Sequence, residues 1–183
     1  FNKIYMPDIF KKIKIKNNNI NYILKNKKRN GPNISVVFLC GYRSDVHGTK
    51  ASYLRDLQKK YGFEYLSFDY SGHGKSSSNI NNCYFEDWVY ESLYIIRKKT
   101  RYPIIIIGSS MGGWLAILVA IYLNKKVKAI IGLATAADFT TEMIRHLSIK
   151  NKITYLFKGI IMHQSSYDHK PYFFSKAFIK NSK

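Results

Sequence analysis

The chain has 183 residues, 46% of them hydrophobic, so it is long enough to bury one sizeable core. Its 30 lysines and arginines against 11 aspartates and glutamates give a formal net charge of +19. The basic residues are spread along the chain among asparagines, without a zinc-knuckle, aromatic RNA-binding or recognition-helix pattern. We therefore expect weak attraction to acidic surfaces and no specific nucleic-acid binding.

Other global features point to one domain over residues 1–183, with a core at 1–139 and a lid-like segment at 140–183, because no linker or repeat interrupts the chain. The longest apolar stretch, 114–123, is well short of the roughly 20 residues that span a bilayer. Cys40 and Cys83 lie near no further cysteine or ligand-spaced histidine pair, so we predict no metal, no cofactor and a reducing compartment. Because the chain begins at Phe1, we expect any targeting segment to lie upstream of it.

The first elements in chain order predict an N-terminal hairpin. Residues 12–16 alternate lysine and isoleucine with period two, and a second short strand at 21–24 precedes a turn at 27–32. Ser35–Leu39 is apolar almost throughout, which is typical of a strand covered on both faces.

From this strand onward the pattern alternates between strands and helices. We predict further strands over Glu64–Phe68, 104–107 and Val127–Leu133, and helices over 50–61, Phe85–Lys99 and 114–123, the last one buried. Such alternation predicts a mostly parallel sheet with helices on both faces, in which functional residues follow the carboxyl ends of the strands.

One motif predicts a catalytic residue directly. Residues 108–112 form a G-x-S-x-G run between an isoleucine strand and an apolar helix, the setting that a nucleophile elbow requires. The turn holds Ser110 in a strained backbone geometry, so its flanking positions need glycine. We predict that Ser110 is a serine nucleophile beside a helix N-terminus, where developing negative charge is favoured.

A serine hydrolase also needs two backbone N–H groups that face the oxyanion. We predict one from Met111, the residue after the nucleophile, and one from Tyr42 in the loop after the central strand. Gly41 allows the backbone of that loop to turn close to the substrate.

A second turn motif, D-x-x-G-x-G-x-S, follows the strand Glu64–Phe68 at residues 69–76. We interpret Asp69 and His73 in this turn as structural residues that shape the sheet edge near the site.

Four sequence blocks in one order carry a family resemblance: Cys40–Asp45 with 48–51, 68–72, 108–115 and 133–138. Together they resemble the abhydrolase domain-containing protein 10 branch of the α/β-hydrolases, which comprises mitochondrial palmitoyl-protein thioesterases and acyl-glucuronide esterases, and its bacterial relatives. The resemblance implies an α/β-hydrolase fold with an N-terminal hairpin and a partial lid. It also implies hydrolysis of acyl esters or thioesters through an acyl-Ser110 intermediate, and a mitochondrial location.

The remaining catalytic partners are harder to place. In this family the acid and the base follow the nucleophile in the chain, after two further strands, and no convincing pair of such strands follows Leu133. We expect lid material instead, with possible helices at 149–157 and 172–179, and we expect the last strands of the fold to be missing, which would leave an apolar sheet edge bare.

Two alternatives for the catalytic partners remain open. Asp138 follows a strand and is a candidate acid, and His163 or His169 could fold back onto Ser110 as the base. Without a base the chain would be inactive, so the alternative function is a non-catalytic α/β-hydrolase-like binding protein.

Overall fold

A computed structural model of the chain describes residues 10–163, 172–175 and 178–179. The strands in this part of the chain are β1 (Lys11–Ile15), β2 (Asn18–Lys25), β3 (Ser35–Leu39), β4 (Glu64–Phe68), β5 (Ile104–Ser109), β6 (Val127–Leu133), β7 (Ile160–His163) and β8 (Tyr172–Ser175). The α-helices are α1 (Thr49–Tyr61), α2 (Phe85–Lys99), α3 (Met111–Leu123), α4 (Phe139–Arg145) and α5 (Ile149–Lys158).

The main sheet has the strand order β1-β2-β4-β3-β5-β6. Strands β4, β3, β5 and β6 are parallel, while the β1–β2 hairpin joins the sheet antiparallel to β4. Every residue of β3 and of β4 is buried, as expected for central strands covered on both sides.

The crossovers place the helices on both faces of this sheet. The chain moves from β3 to β4 in one direction and then from β4 to β5 and β6 in the other. Since crossovers between parallel strands are right-handed, α1 lies on one face and α2 and α3 lie on the opposite face, where they contact each other. The predicted α/β-hydrolase architecture, mostly parallel with helices on both faces, is confirmed.

This topology also fixes where a site can form. The strand order reverses between β3 and β5, and the crevice outside their carboxyl ends is the usual ligand position in open α/β sheets. Two of the predicted site loops, after β3 and after β5, therefore meet at the same point.

Two elements are partly exposed: strand β6, at the predicted bare edge of the sheet, and helix α3, which we predict to be buried. The middle residues of β6, 128–132, are exposed, and its outer edge pairs with no strand in the described ranges. Helix α3 begins at Met111 and is buried over its first half and at Val119, whereas Ile121 and Tyr122 near its end are exposed.

The segment after β6 forms a small lid with more regular structure than predicted. Helix α5 matches the expected helix; the Ser148 hydroxyl accepts the Asn151 N–H at its start, and Gly159 ends it in a left-handed conformation. The predicted helix at 172–179 is wrong over Tyr172–Ser175, because these residues form β8 and pair antiparallel with β7. The two strands of this hairpin stabilise each other, although the sequence pattern of neither one predicts a strand.

None of the helices in the described ranges has both the length and the apolar character that a bilayer crossing requires.

Candidate active site

Ser110 occupies the sharp turn between β5 and α3. Its backbone dihedral angles are φ 53° and ψ −119°, a conformation that is strained for any residue with a side chain. Its side chain is exposed at the carboxyl edge of the sheet. The residue predicted as the nucleophile therefore stands at the start of a helix, as the motif indicates.

The glycines of the motif are required by close backbone approaches. A Cβ atom on Gly112 would lie 2.1 Å from the Leu39 carbonyl oxygen, and one on Gly108 would lie 2.3 Å from the carbonyl oxygen of Gly112. A Cβ atom on Gly113 would lie 2.4 Å from the Thr135 hydroxyl oxygen. The elbow can pack against β3 and the loop after β6 only because these positions lack side chains.

The main chain of Ser110 is held by both neighbouring elements. Its N–H donates to the Leu133 carbonyl oxygen at 3.0 Å, and its own carbonyl oxygen accepts from the N–H groups of Gly113 (2.9 Å) and Ala136 (3.2 Å). The turn after β6 is thereby fixed to the elbow.

The loop after β3 approaches Ser110 from the other side. A Cβ atom on Gly41 would lie 3.4 Å from the Ser110 Cβ atom and 3.2 Å from the Ser109 carbonyl oxygen. Within the described part of the chain, no acceptor binds the backbone N–H of Tyr42 or of Met111. These are the two donors that the sequence predicts for an oxyanion, and both remain available for one.

The side chain of Tyr42 points away from this turn and binds the lid. Its hydroxyl donates to the Phe173 carbonyl oxygen in β8 at 2.9 Å, and its ring stacks on Phe174 with 4.8 Å between centroids. Burial raises the pKa of the Tyr42 phenol, so it remains a donor at neutral pH. Sequence reasoning missed this contact, because 131 positions separate the two residues.

Aromatic side chains continue from Tyr42 into an apolar cluster. Phe178 lies 5.5 Å from the Tyr42 ring, and Trp114, four residues after Ser110, stacks on Phe85 at 4.1 Å. The cluster also contains Trp88 and Phe139. These rings are buried, that of Phe139 partly, and they pack the lid segment against the loop after β3 and against helices α2, α3 and α4.

Asp69 fixes the geometry of the turn that follows β4. The buried carboxylate accepts the backbone N–H groups of Val46 (2.8 Å) and Lys75 (3.0 Å) and the side-chain amide of Asn21 (3.1 Å). Burial raises the pKa of the Asp69 carboxyl, while these three donors oppose that rise. The contacts support the structural role predicted for Asp69.

His73, in the same turn, is buried among aromatic rings. Its Nδ1 atom is 3.2 Å from the Ser71 carbonyl oxygen, and its ring packs edge-on against Trp88 at 4.8 Å. Burial lowers the pKa of His73 to about 4, so the imidazole is neutral at pH 7. Its Nε2 atom has no partner among the described residues.

Comparison with known proteins identifies the family. The α/β-hydrolase fold family model matches residues 36–157, two thirds of the chain. The chain belongs to the α/β-hydrolase family. Among curated α/β-hydrolases, human mitochondrial palmitoyl-protein thioesterase ABHD10 is 36% identical over 157 residues, covering 85% of this chain and 51% of that protein. The bovine protein of the same name is 36% identical over 144 residues, covering 79% and 47%. The predicted resemblance is confirmed, and the chain spans about half the length of these relatives.

Solved α/β-hydrolases superpose closely on the chain. The mouse α/β-hydrolase domain-containing protein 10 gives a TM-score of 0.84 at 30% identity, with coverage of 95% of this chain and 69% of that one. A hydrolase from Agrobacterium vitis gives a TM-score of 0.86 at 26% identity, covering 97% and 72%.

No hydrogen bond links the candidate acid Asp138 to Ser110 in the described part of this α/β-hydrolase. Asp138 lies at the start of α4 with φ 53°, and its exposed side chain caps no N–H of that helix. His163 lies in β7 with its backbone opposite Tyr172, and His169 lies outside the described residues. His146 is exposed, and its Nε2 atom lies 3.4 Å from Glu142.

The two cysteines are free and buried. Each thiol donates to a nearby carbonyl oxygen, Cys40 to Ser44 and Cys83 to Asn79, both at 3.4 Å. Burial raises the pKa of both thiols, which disfavours the reactive thiolate.

Proposed function

We propose that the protein is a serine hydrolase of acyl esters or thioesters, and that Ser110 is its nucleophile. One observation carries the proposal: Ser110 sits in a left-handed turn at the helix α3 N-terminus, with Gly41 against its Cβ atom and the unbound N–H groups of Tyr42 and Met111 nearby. This is the arrangement that acyl transfer to a serine needs.

The proposed reaction has two steps. The Ser110 hydroxyl oxygen attacks the acyl carbon and gives its proton to a general base, and the tetrahedral oxyanion accepts the N–H groups of Tyr42 and Met111. Collapse releases the thiol or alcohol with that proton and leaves an acyl-Ser110 ester. Water then attacks the ester, releasing the carboxylic acid and restoring the Ser110 hydroxyl. Asp138 remains our candidate for the acid that would orient a histidine base.

The choice of substrate class rests on similarity. The curated relatives are named palmitoyl-protein thioesterases. We extend to this chain an acylated protein as substrate and a mitochondrial location, both taken from the names of those relatives.

Covalent labelling tests the role of Ser110. A fluorophosphonate probe should label the full-length product of the gene, and Ser110→Ala should abolish labelling and reduce hydrolysis of a palmitoyl thioester by roughly three orders of magnitude or more. The matched control is Ser109→Ala, which removes the hydroxyl one residue away and should leave labelling largely intact.

The same experiment separates the alternative function. Equal labelling of the wild type and Ser110→Ala would refute the nucleophile assignment. Binding of a palmitoyl thioester by the full-length product without labelling or hydrolysis would instead support a non-catalytic binding protein. We expect the 183-residue chain alone to label weakly, because none of the three histidine side chains that the structure describes, those of His47, His73 and His146, contacts Ser110.

A further inference from the structure

Helix α5 is amphipathic, but its apolar side faces solvent, whereas an ordinary surface helix turns that side toward the core. At roughly 100° per residue, Ile149, Ile153, Leu156 and Phe157 fall on one stripe, and all four are exposed, with Phe157 87% accessible. The opposite side of α5 carries Tyr155, which is half-buried and packs on the core. The helix therefore turns its apolar stripe outward.

The hairpin that follows α5 also exposes apolar side chains. Met162 in β7 lies opposite Phe173 in β8, and both side chains are exposed. The neighbouring pair, Ile161 and Phe174, is buried on the other side of the hairpin. We call the outward set the lid apolar face; it comprises Ile149, Ile153, Leu156, Phe157, Met162 and Phe173.

The segment that carries the lid apolar face has a strong excess of positive charge. Residues 149–183 include seven lysines and one aspartate, without glutamate or arginine. Lys152 and Lys158 are exposed on α5 itself. A partner that matches this face must therefore offer both an apolar surface and negatively charged groups.

We propose that the lid apolar face docks the protein onto an anionic lipid surface. Its isoleucine, leucine, phenylalanine and methionine side chains suit insertion among acyl chains, whereas the centres of protein interfaces favour tryptophan, tyrosine and arginine. The flanking lysines would bind anionic headgroups. Since α5 has 10 residues, about 15 Å of helix, it would lie in the interface plane rather than cross the bilayer.

Docking of this kind does not depend on the chemistry of Ser110. The lid apolar face lies on the opposite side of β8 from Phe174, which stacks on Tyr42. Membrane binding can therefore be tested without an activity assay, and its failure would leave the proposed hydrolase function untouched.

Vesicle sedimentation of the full-length protein tests the proposal. We expect binding to phosphatidylcholine vesicles that contain phosphatidylserine, weaker binding to phosphatidylcholine alone, and a decrease with rising salt. The double variant Leu156→Ser/Phe157→Ser should bind at least tenfold more weakly. Its matched control is Tyr53→Ser/Tyr61→Ser, which removes two exposed aromatic rings from α1 and should bind like the wild type.

A charge variant tests the second half of the proposal. Lys152→Glu/Lys158→Glu should lose roughly tenfold or more in binding to the anionic vesicles. Circular dichroism should show unchanged folding for both double variants, because the replaced side chains are exposed.

Several outcomes would overturn the proposal. One is equal vesicle binding by the wild type and Leu156→Ser/Phe157→Ser; another is equal binding to neutral and anionic vesicles. A concentration-dependent dimer that this variant abolishes, without vesicle binding, would assign the lid apolar face to a second copy of the chain instead.

Discussion

At Gly112 the backbone of the elbow meets the backbone of the central strand, and neither can move independently. A methyl group on Gly112 would lie 2.1 Å from the Leu39 carbonyl oxygen. We predict that Gly112→Ala lowers the free energy of unfolding by roughly 2–3 kcal/mol, measured by urea denaturation, because a well-packed site must be forced apart. The control Gly48→Ala should change it little, since its Cβ atom would lie 3.4 Å from the nearest oxygen, that of Asp45. Similar values for the two variants would contradict this account of the motif.

The buried His73 side chain makes the free energy of unfolding depend on pH. Its folded-state pKa of about 4 lies below the ordinary value of 6.5, so the unfolded chain binds the proton more readily between these pH values. Stability should therefore decrease as pH falls from about 6.5 to about 4, by roughly 3 kcal/mol from this residue. Thermal unfolding across this range measures the effect.

The pH effect of His73 is isolated by comparison with a variant. Burial raises the pKa values of Asp69 and Glu91, and these carboxyls act in the opposite sense, stabilising the fold as pH falls. His73→Gln should thus lose the acid-sensitive component, whereas the exposed His47→Gln should retain the wild-type profile. Parallel profiles for the wild type and His73→Gln would refute the assignment.

At the scale of elements, Tyr42 links the loop after β3 to strand β8 of the lid. Tyr42→Phe keeps the ring on Phe174 but removes the hydrogen bond to the Phe173 carbonyl oxygen. We predict a loss of about 1 kcal/mol in lid docking, seen as faster amide hydrogen exchange in β7 and β8 with little change in β3. Tyr53→Phe on the exposed face of α1 is the matched control, and equal exchange in both variants would contradict the anchoring role.

The sequence predicts best the elements whose pattern of apolar residues lies entirely within the element itself. Strands β3, β4 and β6 and helix α2 have the predicted bounds, because continuous apolar runs and helical spacing are visible within each segment. Strand β8 was predicted as helix because four residues with two phenylalanines show no clear period. Its strand conformation depends on pairing with β7, a partner that no local pattern reveals.

In the candidate site, too, the local features were predictable and most contacts between distant segments were not. Ser110 and its glycines were predictable, since a strained turn leaves a fixed residue pattern. The contacts of Asp69 with Asn21 and Val46 and the contact of Tyr42 with β8 were not, because each joins segments that are distant in the chain. The exposed edge strand β6 agrees with the bare apolar sheet edge that we predict, whereas the exposure of Ile121 and Tyr122 in the predicted buried helix was missed.

For the whole molecule, the formal net charge of +19 places like charges close together in the folded state. We predict that the unfolding temperature rises by a few degrees between about 10 mM and 150 mM sodium chloride, as the Debye length falls from about 30 to about 8 Å. Lys12→Glu/Lys14→Glu on exposed β1 lowers the net charge by two per substitution, to +15, and should reduce this salt response. Lys12→Arg/Lys14→Arg keeps the charge and should behave like the wild type; a salt response that is the same in all three would exclude net repulsion as its cause.

The hydrogen bonds of the Ser110 main chain have a kinetic consequence. Its N–H and carbonyl groups are already bound to Leu133, Gly113 and Ala136, so the turn is complete before any ligand arrives. Because folding has already fixed this turn, Ser110 can react with an incoming electrophile without a further rearrangement of its backbone. If Ser110 is the nucleophile that we propose, the rate at which the probe labels the full-length product should rise in proportion to probe concentration, in a single exponential phase, without the lag that a slow rearrangement of the elbow would introduce.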